Sequence, residues 1–212
     1  GGLAFGFKPF TSAYYTAEDT VAHPSMGNVF NIYNINGSLN TVFAGVGYRI
    51  KSFSLGVNAN YTFGHIKHSS AIEPNSLLNY ANVEYAQNNL IRGFDFTIGA
   101  IYQKVFKDVY YLNLGATYKI GSGLNVTRDE HFMSYRYNQN SNGNTILNPI
   151  DTVWSKVEQK GKITLPSTFS LGAHYGKSGY WNIGVDYINS NWRDYAFMND
   201  RMNIAEQTSR VA

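Results

Sequence analysis

Apolar and polar residues alternate along much of the chain, most clearly over residues 53–63. The apolar positions there are Phe53, Leu55, Val57, Ala59, Tyr61 and Phe63, and the residues between them are small or polar. Successive side chains of a β-strand point to opposite faces, so this segment has one apolar and one polar face. Helical periodicity is weak. Segments with the same alternation are 3–7, 41–50, 94–102, 110–120, 169–175 and 181–187. The pattern predicts an all-β protein.

The connections between these segments alternate in length. The short ones are 51–52, 107–109 and 177–179, and the long polar ones are roughly 65–90, 121–162 and 189–212. Short turns at one end and long loops at the other are typical of a transmembrane antiparallel β-barrel of the outer-membrane type, with periplasmic turns and extracellular loops. We expect the long stretches to be extracellular loops. The segment RDEHFMSYRY (128–137) in the second stretch is expected to be a plain loop, although it could also touch a partner or a surface glycan.

The short turns make testable register predictions. A two-residue turn at 51–52 pairs Ile50 with Phe53, and both belong to the apolar face. A three-residue turn at 107–109 likewise pairs the apolar residues Phe106 and Tyr110. Cross-strand neighbours share a face, so these registers keep each apolar face continuous.

The third short turn is predicted at 177–179, with Gly179 in the left-handed position. This register pairs Tyr175 with Trp181 and places His174 opposite Asn182.

The length of the strands fits a bilayer. From Phe53 to Phe63, ten residue steps span roughly 34 Å of strand, which a tilt of about 40° reduces to roughly 26 Å of height. The apolar band around outer-membrane barrels is about 25 Å tall. Aromatic residues lie near both ends of several segments, where interfacial girdles belong.

The two faces differ in a way that favours lipid over a protein core. In a soluble β-sandwich or lipocalin-like barrel, which is the alternative, the polar face would carry Lys, Glu and Thr, whereas here it carries Gly, Asn and Ser. The predicted lipid-facing residues are Phe53, Leu55, Val57, Leu112, Leu114, Leu171, Ile183 and Val185. The predicted lumen-facing residues are Asn58, Asn60, Asp95, Asn113, His174, Asn182 and Asp186.

The composition agrees with a protein that has little water-facing surface. Of 212 residues, 16% are aromatic and only 15% are charged, against about 25% charged in soluble domains. The net charge is +3 without a dense basic stretch, so nucleic acid is not an expected partner. The absence of cysteine excludes disulfides, thiolate metal sites and thiol nucleophiles.

Residues 163–195 resemble the outer-membrane long-chain fatty-acid transporters of the FadL type. The features that carry the resemblance are Leu165-Pro166, the strand Ser170-Leu171-Gly172, and Asn191-Trp192 after the second strand. Residues 47–64 also look like an earlier hairpin of that family. The resemblance implies a 14-stranded barrel with a small N-terminal hatch, through which hydrophobic molecules pass.

The sequence departs from that family in strand number. It holds seven clear strand segments and an eighth candidate, and we see neither a hatch nor the C-terminal strands. We therefore expect a single domain over 1–212 that forms about half of a 14-stranded barrel. An eight-stranded closed barrel is the alternative.

No pattern points to catalysis or to a metal. His65 and His68 lie on opposite faces of a strand and only a loop would bring them together near Glu73. Ser170 and His174 share a face but lie four residues apart, about 13 Å along a strand and too far for a hydrogen bond. We expect no enzyme activity, no cofactor and no metal.

Two functions remain. The first is transport of hydrophobic small molecules across the outer membrane of a Gram-negative bacterium. The alternative is a non-transporting accessory barrel subunit of a larger outer-membrane secretion or protein-assembly complex. Expected partners are outer-membrane lipid and, depending on the function, hydrophobic small molecules or other outer-membrane proteins.

Overall fold

The structure, a computed structural model, describes residues 1–74, 80–139, 145–201 and 207–211. It confirms the predicted fold class, because an antiparallel sheet curved into a half-barrel contains most of these residues. The strands are β1 Gly2–His23, β2 Gly27–Ile50, β3 Phe53–Pro74, β4 Asn82–Phe106, β5 Tyr110–Lys119, β6 Gly123–Gln139, β7 Thr145–Thr164, β8 Ser167–Lys177, β9 Trp181–Asn191, β10 Ala196–Phe197, β11 Asp200–Arg201 and β12 Gln207–Val211.

None of the described residues belongs to a helix long and apolar enough to cross a membrane.

The strands follow one another as an antiparallel meander. β1, β2, β3 and β4 pair in chain order, and β4 then pairs with β5 along its second half and with β6 along its first half. β5 pairs with β8, and β6 pairs with β7; the β5–β8 register continues into β6–β7 as far as Arg128. β5–β6 and β7–β8 are therefore two long strands, each interrupted once. The second interruption falls at Pro166, which has no N–H to donate to a ladder.

The sheet is open across the residues that the structure describes. β1 pairs only with β2, and β12 pairs only with β9. These described strands form a half-barrel and not the closed eight-stranded alternative.

The strands are much longer than the apolar segments that predicted them. β2 has 24 residues and β4 has 25, so both continue far past the apolar band. We call this polar part of the sheet, residues 11–39, 64–92 and 123–163 where described, the extension.

Most of what we predicted as long loops is strand in the extension. RDEHFMSYRY lies within β6, so its interpretation as a loop is wrong. Polar strands persist here because neighbouring strands satisfy each other's backbone groups and because the inner face of the extension is packed. Residues 75–79, 140–144, 202–206 and 212 of the predicted loops lie outside the described residues.

Two of the three predicted turns are confirmed. Ile50 pairs with Phe53, and Phe106 pairs with Tyr110. The third prediction is wrong in register, because Lys177 still pairs with Trp181 across a turn at 178–180. His174 therefore faces Gly184 and not Asn182. Gly179 does take the left-handed conformation, with φ of 77°, but as the middle residue of the turn.

The apolar core lies on the concave face of the extension. Its fully buried members come from β2, β4, β6 and β7 and are Leu39, Ile91, Leu124, Val126 and Ile163. Side chains from strands that are not neighbours meet only on the concave side of a curved sheet. This cluster therefore identifies the concave face and, by alternation, the convex one.

Candidate functional site

The predicted lipid-facing residues lie on the convex face. Most of them are strongly exposed, and Leu55 and Ile183 are 60% and 70% accessible. Leu112 is half-buried. These residues share the convex face with the aromatic pairs Phe53–Tyr102 and Tyr61–Phe94, whose ring centroids are 4.8 and 4.7 Å apart. That the convex residues contact lipid stays a prediction.

The predicted lumen residues lie on the concave face, and the structure brings two pairs of them together, Asn60 with Asp95 and Asn113 with His174, but does not gather all seven at one site. Asn60 and Asp95 are buried there, 8% and 3% accessible. Asn58 and Asp186 line a cavity, whereas His174 packs edge-on against Tyr111 below it, 5.5 Å between ring centroids. Asn113 pairs with His174 and Asn182 with Gly176 in the registers of β5–β8 and β8–β9.

A cavity of about 860 Å³ occupies the concave side of the apolar band. Small residues from five strands make up much of its wall, including Gly45, Gly47, Gly56, Gly99, Gly115 and Gly172. Without side chains at these positions, the backbone itself forms the surface of the cavity.

A polar cluster lies on the concave wall above this cavity. Asn60 donates a 2.7 Å hydrogen bond to Asp95 Oδ1, and Lys119 Nζ lies 3.3 Å from Asp95 Oδ2. The same ammonium lies 5.6 Å from the centre of the Phe10 ring. Phe10 is the extra residue of a β-bulge between Pro9 and Thr11. Since β1 and β5 are separated by three strands, the Phe10–Lys119 contact crosses the interior of the half-barrel.

Above the polar cluster, the apolar core fills the interior. The segment after β9 folds over it, because Tyr195, Phe197 and Met198 pack against the core. Asn199 fixes this segment to β7 by a 3.2 Å hydrogen bond from its N–H to the Lys162 carbonyl. The interior is thus occupied at this level.

A buried carboxylate organises the interior of the extension. Glu130 accepts hydrogen bonds from Gln87 at 3.1 Å and Gln159 at 3.0 Å, and Arg128 forms an ion pair with it at 3.2 Å. Burial by itself raises the pKa of Glu130, but the hydrogen bond from Gln159 and the charge of Arg128 outweigh it and hold the pKa below its usual range. The Arg128 guanidinium also lies 5.0 Å from the Phe197 ring, which links this network to the core.

A second carboxylate lies near the end of β3, at the tip of the extension. Tyr135 and Tyr137 each donate a hydrogen bond to Glu73 Oε1, at 2.6 and 2.8 Å. Burial and this carboxylate raise the pKa of both phenols. Sequence reasoning missed both networks because it took these segments for loops.

β7 is an irregular strand whose outer edge is largely unpaired among the described residues. Three times along its pairing with β6, one or two residues of β7 have no partner. Ile150, Val153 and Val157 occur at these bulges and are 52%, 58% and 70% accessible. On its other edge, among the described residues, β7 pairs with β10 at Thr164 only. An exposed apolar edge of this kind is a potential contact surface for another protein.

The described residues offer no arrangement typical of catalysis or metal binding. His65 and His68 lie on opposite faces of β3, and no group of three or more His, Cys, Asp or Glu residues in the described ranges is placed to hold a metal ion. The features that suit binding are the cavity on the concave face and the exposed apolar residues of β7.

A family model described as BamG matches residues 1–210, nearly the whole chain. BamG is a family of the outer-membrane protein assembly machinery. No curated protein matches the chain, and no solved structure matches it.

This match overturns the FadL-type resemblance and the transport function that it implied. The features behind the resemblance are structural. Leu165-Pro166 interrupts the β7–β8 strand and Asn191-Trp192 ends β9, so both reflect how a long barrel strand is built and carry no information about transport. The family instead implies an outer-membrane-associated assembly component that associates with other outer-membrane assembly proteins.

Proposed function

The chain belongs to the BamG family, and on this premise we propose that it is an accessory subunit of the BAM complex, which assembles proteins in the outer membrane of Gram-negative bacteria. Its role is structural. It presents binding surfaces to other subunits and performs no covalent chemistry. The match over residues 1–210 is the observation that carries this proposal.

The filled interior supports a role other than transport. The apolar core, with Tyr195 and Phe197 folded over it, occupies the concave side of the extension. Below it, the contact between Lys119 and Phe10 crosses the interior. A packed core in the extension makes this part of the wall rigid, which suits a scaffold.

The outer edge of β7 supports contact with a partner protein. Six residue steps separate Val157 from Ile163 at the core, roughly 20 Å of strand, so membrane lipid does not reach Val157. The bulges at Ile150, Val153 and Val157 interrupt the row of backbone groups, and such interruptions oppose the addition of a long strand. A partner would therefore contact these side chains.

Co-purification tests the function. The natural full-length protein, carrying an affinity tag, is extracted from its own outer membrane in a mild detergent. We expect other outer-membrane assembly proteins to elute with it in a fixed ratio. Recovery of the protein without any of them, even after crosslinking in intact cells, would refute the proposal.

Substitutions at the edge locate the contact. Val153→Asp with Val157→Asp places two charges on the exposed edge of β7, and we expect the yield of co-purified subunits to fall about fivefold or more, as for a buried apolar contact. Ile72→Asp is the matched control, since Ile72 is another exposed apolar residue of the extension, 44% accessible on β3. Equal yields from both variants would exclude this edge while leaving the function itself untouched.

A further inference from the structure

Basic residues gather on the convex face at the base of the extension. In one row across the sheet, Phe63 pairs with Arg92, Arg92 with Asn125, and Asn125 with Lys162. Residues paired across strands point to the same face, so Arg92 and Lys162 lie on one side, two strands and roughly 10 Å apart.

The neighbouring rows add two further cations to the same face. Two residues further from the apolar band, His65, Leu90, Thr127 and Lys160 form the next row, and Lys67, Asn88 and Asp129 form the row after it. We call Lys67, Arg92, Lys160 and Lys162 the cationic patch.

The patch carries a net positive charge. All four side chains are exposed, and among the described residues none of them forms an ion pair with a carboxylate. Asp129 is the acidic residue in these rows; its carboxylate accepts the N–H of Glu158 at 2.8 Å and offsets part of the positive charge. Four exposed cations against one carboxylate leave a net positive field for an anionic ligand.

The patch lies where the apolar band ends. Phe63 and Phe94, which close the apolar band on β3 and β4, are exposed on the convex face at 37% and 61%. Arg92 is paired with Phe63, so the patch begins where the aromatic girdle ends and continues away from the bilayer along β7. Cations next to an aromatic girdle lie at the level of lipid head groups.

We propose that the cationic patch binds the phosphate groups of the outer-leaflet glycolipid, lipopolysaccharide. Phosphates on lipid A and on the inner sugars would meet Arg92 first and the β7 lysines further out. Arg92 can hold a phosphate by two parallel hydrogen bonds, and the lysines act as point charges. The lipid would then be fixed against the convex wall of β3–β7, which orients the subunit in the membrane. This inference rests on the outer-membrane placement in the proposed function but not on any protein partner.

Lipid binding by the purified full-length protein tests this inference. The protein in detergent is titrated with lipopolysaccharide and, in parallel, with the same lipid after enzymatic dephosphorylation, and binding is followed by native mass spectrometry. We expect Arg92→Gln with Lys162→Gln to weaken binding of the phosphorylated lipid about tenfold or more. Lys51→Gln with Lys107→Gln removes two cations from the short turns at the other rim and is expected to change binding less than twofold.

Several results would overturn the proposal. Equal affinity of the natural protein for phosphorylated and dephosphorylated lipid would exclude phosphate recognition. Equal loss of lipid binding in both pairs of variants would show that binding depends on the total charge of the protein and not on the cationic patch. Inorganic phosphate binding as tightly as the lipid would exclude the glycolipid as ligand. Folding of each variant is judged by its heat-dependent migration on gels. If Arg92→Gln with Lys162→Gln fails to fold, Lys160→Gln with Lys67→Gln provides an independent pair within the patch. Co-purification with assembly proteins is scored separately, so the two proposals fail independently.

Discussion

Asn60 donates a 2.7 Å hydrogen bond to Asp95 across the β3–β4 ladder, in the interior of the half-barrel. Both residues are almost fully buried, and Lys119 of β5 approaches the second carboxylate oxygen at 3.3 Å. The three residues join three consecutive strands. A buried carboxylate is tolerated only when hydrogen bonds and an opposite charge compensate its lost hydration, and here both are present.

Asp95→Ala should therefore destabilise the sheet. It leaves the Asn60 amide and the Lys119 ammonium without their partner, and we expect the free energy of unfolding to fall by about 2–3 kcal/mol. Equilibrium unfolding by guanidinium in lipid vesicles measures this. Asp95→Asn keeps an acceptor for Asn60 and should lose less. Glu18→Gln, at an exposed position of β1, is the control and should have no measurable effect.

Gly64→Ala should destabilise the β2–β3 pair. Gly64 has φ of 152°, and a methyl group there would overlap the carbonyl oxygen of Ser38 on the neighbouring strand. We expect a loss of about 1–3 kcal/mol in the same unfolding measurement, because L-residues rarely adopt this conformation.

Gly115→Ala is the matched control for that substitution. Gly115 lies in the wall of the cavity, and nothing lies within 4 Å of an added methyl group. Equal destabilisation by the two alanines would contradict the steric argument.

Much of the fold could be predicted from the alternation of residues in the apolar band. The pairing of Ile50 with Phe53 follows from the requirement that one face stay apolar. The same rule fails at the third turn, because it permits any register that shifts by an even number of residues. The observed pair Tyr175–Ile183 and the predicted pair Tyr175–Trp181 both keep apolar next to apolar, and only the turn conformation distinguishes the two registers.

The extension could not be predicted in the same way. Its strands are polar on both faces over long stretches, so alternation is weak, and their pairing is stabilised by contacts between distant segments. Glu130 on β6 and Gln87 on β4 lie 43 positions apart in the chain, and nothing local indicates that they meet. The bulge that directs Phe10 towards Lys119 likewise depends on the neighbouring strand.

The family could not be predicted from the residue pattern either. Asn60 and Asp95 were predicted to face a lumen, and they do lie on the concave face, but neither residue type distinguishes a transporter from an assembly subunit. Strand alternation encodes a barrel wall, and different barrel families share it.

Acid should loosen the extension through Glu130. Its pKa is lowered in the folded protein, so its contribution to stability is complete above the unfolded value of about 4.3 and is lost as the pH falls below it. We expect faster amide hydrogen exchange in β4 and β6 at pH 3.5 than at pH 6, after correction for the intrinsic pH dependence of exchange.

Glu130→Gln is the control for this acid effect. The amide keeps the size of the side chain but does not titrate, so most of the additional exchange at low pH should disappear. An unchanged pH dependence in this variant would assign the effect to other carboxylates.

Alkaline titration should reveal Tyr135 and Tyr137. Both phenols donate to Glu73, and burial and the carboxylate raise their pKa values, so they stay neutral when ordinary tyrosines ionise near pH 10. The stability they contribute is complete below about pH 10 and is lost as the pH rises above it, because the unfolded phenols release their protons first. In absorbance at 295 nm, we expect a small fraction of the 17 tyrosines to titrate late. Glu73→Gln should move that fraction to lower pH, and Glu18→Gln should not; a titration curve unaffected by Glu73→Gln would refute the role of the carboxylate.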